Sequence, residues 1–147
     1  MDKIYVKKLN PNAILPKYGS LSAAGADLFA LLENDSLTIN SGETHFIKTG
    51  ISLEIPEGYA GLIYARSGLS CKKGLAPANK VGVIDSDYRG EIVVALYNHS
   101  NEPRTILNGE RIAQMVITKA PQFEYVEVDS LAETERGVGG FGSTGKK

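Results

Sequence analysis

Apolar residues in this chain come in short runs that turn residues keep cutting off. The runs read as strands at 4–9, 44–55 (bent or broken at Gly50), 59–65, 91–98, 111–118 and 123–128. Between them stand Asn10-Pro11, Asn40-Ser41-Gly42, Pro56-Glu57-Gly58, Glu102-Pro103 and Asn108-Gly109, all turn formers. Many short strands with such punctuation predict an all-β sandwich, barrel or jelly roll. One short helix is expected around 67–73, stopped by Gly74. The 147 residues suffice for one domain with a real core. They are too few for a TIM barrel or a full dinucleotide-binding fold, which need about 200 or more.

Two of the runs are apolar on both faces. In EIVVALYN, Ile92, Val94 and Leu96 point one way and Val93, Ala95 and Tyr97 the other. In RIAQMVIT, Ala113, Met115 and Ile117 oppose Ile112, Gln114 and Val116. A strand in an open sandwich normally leaves one face polar. Either a partner subunit covers the second face or a long loop of the same chain does.

Composition excludes several classes. Sixteen Lys+Arg against 17 Asp+Glu give a net charge of -1, which argues against a generic nucleic-acid or membrane-surface binder. One cysteine, Cys71, allows no internal disulfide framework, and with His45 and His99 it makes a poor structural zinc set. The first ten residues, MDKIYVKKLN, lack an apolar signal core, and no run approaches the ~20 apolar residues of a membrane span. A cytoplasmic protein is expected.

Three motif matches fail on context. Gly137 to Gly142 fits G-x-G-x-x-G, but it lies 5 residues from the last one and no helix is expected to follow. Gly140 to Lys147 nearly fits a phosphate loop, yet Lys147 replaces the Ser/Thr. The run 85–90, DSDYRG, opens like a calcium loop, but Arg89 takes a ligand position and Leu96 stands where a bidentate Glu is needed.

The remaining chemistry is spread over several turns. Asp85 and Asp87 are two apart in VGVIDSDYRGE, so in a hairpin both project from one face beside Tyr88. They are either solvated turn aspartates or a carboxylate that meets a ligand. Arg66-Ser67-Gly68 offers a five-donor cation, a hydroxyl and open backbone N–H groups, a set suited to phosphate oxygens and also found in plain surface turns. Asp27, inside the apolar AGADLFA, needs either an internal cation or a metal-bound water. Gln114, the polar residue within IAQMVI, must have its amide satisfied by structure or by ligand. The tail from Arg136 holds 5 glycines in the last 11 residues, together with Phe141, Ser143 and Thr144. Ordering glycine is costly, so it is either a loose terminus or an arm that closes on a ligand.

Taken in order, AGADLFA, ARSGLS, NKVGVIDSDYRGE, GERIAQM and RGVGGFGSTG closely resemble the five motifs of the trimeric dUTP diphosphatase (dUTPase) family. The match runs from Asp27 to Gly145, and five motifs in sequence are highly specific. Ala65 departs from the proline that many relatives carry there, and Lys80-Val81 falls in a variable stretch.

The resemblance implies a jelly-roll-like distorted β-barrel over 1–135 and a Gly-rich lid over 136–147. It implies a homotrimer with active sites at subunit junctions and Mg2+-assisted hydrolysis of dUTP to dUMP and pyrophosphate. That reaction lowers dUTP and supplies dUMP for thymidylate synthesis. Asp85 matches the general base for water attack on the α-phosphorus, and Tyr88 the ring under the deoxyribose. Asn79 with Gly82, Val83 and Ile84 matches the uracil site. Arg66, Ser67, Gly68 and Gln114 match the phosphate contacts, and Asp27 an acid near the metal through water. Arg136, Phe141, Gly142, Ser143 and Thr144 match the lid. The metal would otherwise be held by triphosphate oxygens. Two alternatives stand beside this reading: a dCTP deaminase-like enzyme of the same fold, and a non-catalytic nucleotide-binding β trimer.

Overall fold

The computed structural model describes residues 3–140; Phe141, Gly142, Ser143 and Thr144 lie outside them. Twelve strands and one helix follow one another: β1 (Tyr5–Lys8), β2 (Lys17–Tyr18), β3 (Ala26–Phe29), β4 (Ser36–Ile39), β5 (Thr44–Lys48), β6 (Ile51–Glu54) and β7 (Tyr59–Tyr64) come first. Then come α1 (Ser67–Lys73), β8 (Leu75–Pro77), β9 (Gly82–Ile84), β10 (Val93–Asn98), β11 (Arg104–Leu107) and β12 (Arg111–Lys119). The fold is a jelly-roll-like all-β one with a single short helix among the described residues. Its largest sheet has five strands in the order β2-β3-β12-β7-β9, and β5-β10-β8 forms a second. The pairs β1-β6 and β4-β11 complete the wall.

The run at 44–55 divides where expected. Gly50 takes φ +70, and a Cβ there would come within 2.9 Å of Ala13 Cβ, so glycine is required for both reasons. The helix also ends as the sequence predicts, with Gly74 at φ +70 closing it by N–H bonds to the Leu69 and Ser70 carbonyls. Inward residues of both main sheets meet in one core that includes Leu28, Ile47, Leu75, Val94, Leu96 and Ile112. Each such side chain contributes roughly 1.5–3 kcal/mol on burial.

One expectation needs correction, and one of two open alternatives is not met. The segment 123–128 forms no strand. Phe123, Tyr125 and Val126 are 76%, 98% and 70% exposed, because no strand edge of the same chain pairs with them. The outer face of β10 is not covered by a loop either. Val94, Leu96 and Asn98 are buried, but Val93 and Ala95 are half-buried, Tyr97 is exposed, and Phe46, opposite Ala95, is 77% exposed. Regular structure among the described residues ends with β12.

Candidate functional site

The groups singled out in the sequence gather at the two ends of β7. At its C-terminal end, Gln114 of β12 pairs with Asp27 of β3 on one side and with Tyr64 of β7 on the other. This register carries Asp27 to Arg66, the residue that caps α1. Arg66 Nε donates to Asp27 Oδ1 at 2.7 Å, and Arg111 Nη1 donates to Asp27 Oδ2 at 3.2 Å. Asp27 is buried, so its carboxylate is held by two guanidinium groups, the internal ion pair that was one of its two readings. Two cations around one carboxylate leave a net positive charge beside the exposed Ser67 and Gly68.

Gln114 settles its amide in part by structure, since Nε2 donates to the Ala65 carbonyl at 2.9 Å. Any residue at position 65 would supply that carbonyl, so the bond makes no demand on its side chain. The side chain also fixes the opposite turn: a Cβ on Gly25 would lie 2.6 Å from Gln114 Oε1. Arg111 was not singled out from the sequence. Its signal was weak, a cation at the start of an apolar strand, and its importance comes from a register shift between Arg111 and Ala113 that turns it toward Asp27.

The hairpin starts beside this same end and runs back along β7, so that its turn at Asp85 reaches the other end. β9 runs antiparallel to β7, with Gly82 opposite Ile63 and Ile84 opposite Gly61. A slot of about 60 Å³ lies among Pro77, Asn79, Gly82, Val83, Ile84 and Ala95. Gly82 keeps it open to the amide: a Cβ there would stand 3.2 Å from Asn79 Nδ2. Lys80, at φ +61, makes the tight turn that presents Asn79. Beyond Ile84 the chain turns through Asp85, whose carbonyl accepts the Tyr88 N–H at 3.2 Å. Arg89 Nη1 braces the turn by donating to the Ser86 carbonyl at 2.6 Å. The Asp85 side chain is exposed and enters none of the ion pairs among the described residues. The Tyr88 ring lies half-open with its hydroxyl donating to the Glu91 carbonyl at 3.0 Å.

Asp85 follows the residue opposite Gly61, and Arg66 lies past the far end of the same strand. Six residues at about 3.3 Å each put the two groups about 20 Å apart along β7. One chain therefore does not bring the carboxylate and the arginines together. Arg136, in the described part of the tail (136–140), closes a local turn, with Nε donating to the Gly139 carbonyl at 2.8 Å, and enters no ion pair among the described residues.

The dUTPase family model matches residues 11–145. The chain belongs to the dUTPase family. It is 51% identical to the deoxyuridine 5′-triphosphate nucleotidohydrolase of Nautilia profundicola, over 98% of this chain and 99% of that protein. It is 50% identical to the protein of the same description from Finegoldia magna, over 97% of both. Among solved structures, a mutant dUTPase of Staphylococcus bacteriophage 80alpha with dUpNHpp superimposes with a TM-score of 0.88 at 30% identity. That match covers 99% of this chain and all of the phage protein. A mutant dUTPase of phage phi11 of S. aureus, described with a structural Mg(II) ion, gives 0.77 at 27% identity over 88% and 98% of the two chains.

Among the described residues no three His, Cys, Asp or Glu side chains group as a metal cage. Among the described residues no helix is long and apolar enough to cross a membrane.

Proposed function

We propose that the chain hydrolyses dUTP to dUMP and pyrophosphate at junctions between three copies of itself, in the cytoplasm, with Mg2+ bound to the triphosphate. The observation that carries this reading is the separation of Asp85 from the arginine cluster along β7. A substrate that needs both must lie between the hairpin of one chain and the arginine cluster of another. The apolar outer face of β10 and the exposed segment 123–128 supply surface for such an assembly.

In this reading uracil enters the slot beside Asn79 and the backbone of 82–84, where fixed donors and acceptors leave cytosine unpaired. Tyr88 lies against the deoxyribose and occupies the room that a 2′-hydroxyl needs. Arg66, the Ser67 hydroxyl, the Gly68 N–H and the Gln114 amide hold phosphate oxygens, and Arg111 adds a second cation to that set. Asp27 keeps both guanidiniums aimed and would reach the metal through water. Mg2+, when bound, offsets the charge of the triphosphate. Asp85 takes the proton of a water as it attacks the α-phosphorus in line, and pyrophosphate leaves on the opposite side. Residues 136–147 form the lid, with Arg136 on the phosphates and Phe141, Gly142, Ser143 and Thr144 over the nucleotide.

The test is subunit mixing. Asp85→Asn and Arg66→Ala chains, each nearly inactive, are refolded together and assayed for pyrophosphate from dUTP. Random trimers would rebuild about a quarter of the junctions with both partners intact. No recovery would place both groups of each site on one chain, and ammonia released from dCTP would replace the reaction itself.

A further inference from the structure

The return strand of the hairpin is tied down by a carboxylate that none of the roles above uses. Glu91 Oε1 accepts the backbone N–H of Gly50 at 2.9 Å in a partly buried position. Gly50 sits at the kink between β5 and β6, where its left-handed backbone turns that N–H away from the ladder and toward the hairpin. Beside it, Thr49 Oγ1 donates to the Ile92 carbonyl at 2.6 Å, and Ile92 N–H donates to the Ile51 carbonyl at 2.8 Å. Together these bonds lock the main chain of Glu91 and Ile92 onto the kink.

The Tyr88 ring hangs from that locked main chain. Its hydroxyl donates to the Glu91 carbonyl, and its ring passes close to Gly90, where a Cβ would overlap the hydroxyl and ring atoms. An exposed tyrosine has two free side-chain torsions, so its plane is only as well defined as these two contacts. We propose that Glu91 is a positioning residue for Tyr88: its carboxylate, anchored on Gly50 N–H, holds the ring in the plane that excludes a ribose. The proposal rests on the reading of Tyr88 as the sugar gate. Glu91 touches no substrate; it acts through the carbonyl that receives the phenol.

The experiment measures kcat/KM on dUTP and on UTP, with Tm recorded alongside, for the full chain and five variants. Glu91→Ala should lower the dUTP/UTP ratio about tenfold, and Glu91→Gln, whose amide oxygen still accepts from Gly50, should restore most of it. In the Tyr88→Ala background, Glu91→Ala should lower the ratio no further, since the ring it orients is gone. An Ala variant that loses Tm while keeping the ratio overturns the proposal, as does a double variant that falls by the full additional factor. If Glu91→Ala does not fold, Tyr88→Phe removes the phenol–carbonyl bond alone, and an unchanged ratio there is equally fatal. An unchanged ratio in Tyr88→Ala itself sinks the sugar gate and the proposal with it. A changed ratio there with an unmoved Glu91→Ala sinks the proposal alone.

Discussion

The two ends of β7 are built to opposite plans. At the C-terminal end the carboxylate and the amide nitrogen are already engaged: Asp27 by two arginines and Gln114 by the Ala65 carbonyl. At the N-terminal end the backbone of the hairpin is braced, while the Asp85 carboxylate is exposed and Tyr88 lies half-open. A site that grips a polyanion benefits from cations fixed in advance, since their ordering is then not charged to binding. A base that must take a proton needs a free lone pair. The contrast therefore separates holding from reacting, and it makes stability and turnover respond to different residues.

Substitutions at the two ends test that separation most directly. Asp85→Asn should cost about 10²–10⁴ in kcat while leaving Tm near wild type, because an exposed turn residue carries little folding energy. A large drop in Tm would mean that the hairpin end is structural after all. Deleting residues 136–147 should lower kcat/KM by about 10–10³-fold with the assembly mass unchanged, checked by steady-state assay and light scattering. Full activity after deletion would leave two half-sites sufficient and no lid. Asp27→Asn should do the reverse of Asp85→Asn: kcat/KM falls about tenfold, while thermal unfolding shows a loss of about 1–3 kcal/mol as two guanidiniums lose their counter-charge. Equal kinetic and stability profiles for the two aspartate variants would erase the distinction. The smallest effect is expected at Lys80, whose left-handed backbone favours glycine. Lys80→Gly should stabilise by at most about 1 kcal/mol and leave KM for dUTP unchanged, and a raised KM would show that Lys80 itself touches substrate.

The sequence disclosed the parts of this arrangement better than their placement. The break at Gly50, the helix ending at Gly74 and the long strands β7, β10 and β12 were legible, because each carries a clear period and a stop signal. Strands β2, β8, β9 and β11 have two to four residues, too few for any period to emerge. Residues 123–128 have the pattern of a strand but no partner within the chain, and pairing is a tertiary fact that local pattern does not contain. Asp27, Arg66, Gln114, Asp85 and Tyr88 were all visible by residue type and motif. That they divide between opposite ends of β7 depends on the register of β9 against β7, which no motif encodes. Arg111 stayed hidden for a related reason: a bulge, and not its neighbours in sequence, aims it at Asp27.

The distance along β7 has a genetic consequence. In the proposed trimer each chain lends its hairpin to one junction and its arginines to another, so a chain damaged at both ends spoils every junction it touches. Such a chain, co-expressed with intact copies, would subtract more activity than its share of the population. Damage confined to one end would be masked in part by copies damaged at the other. Two faulty alleles, each nearly inactive alone, would then complement.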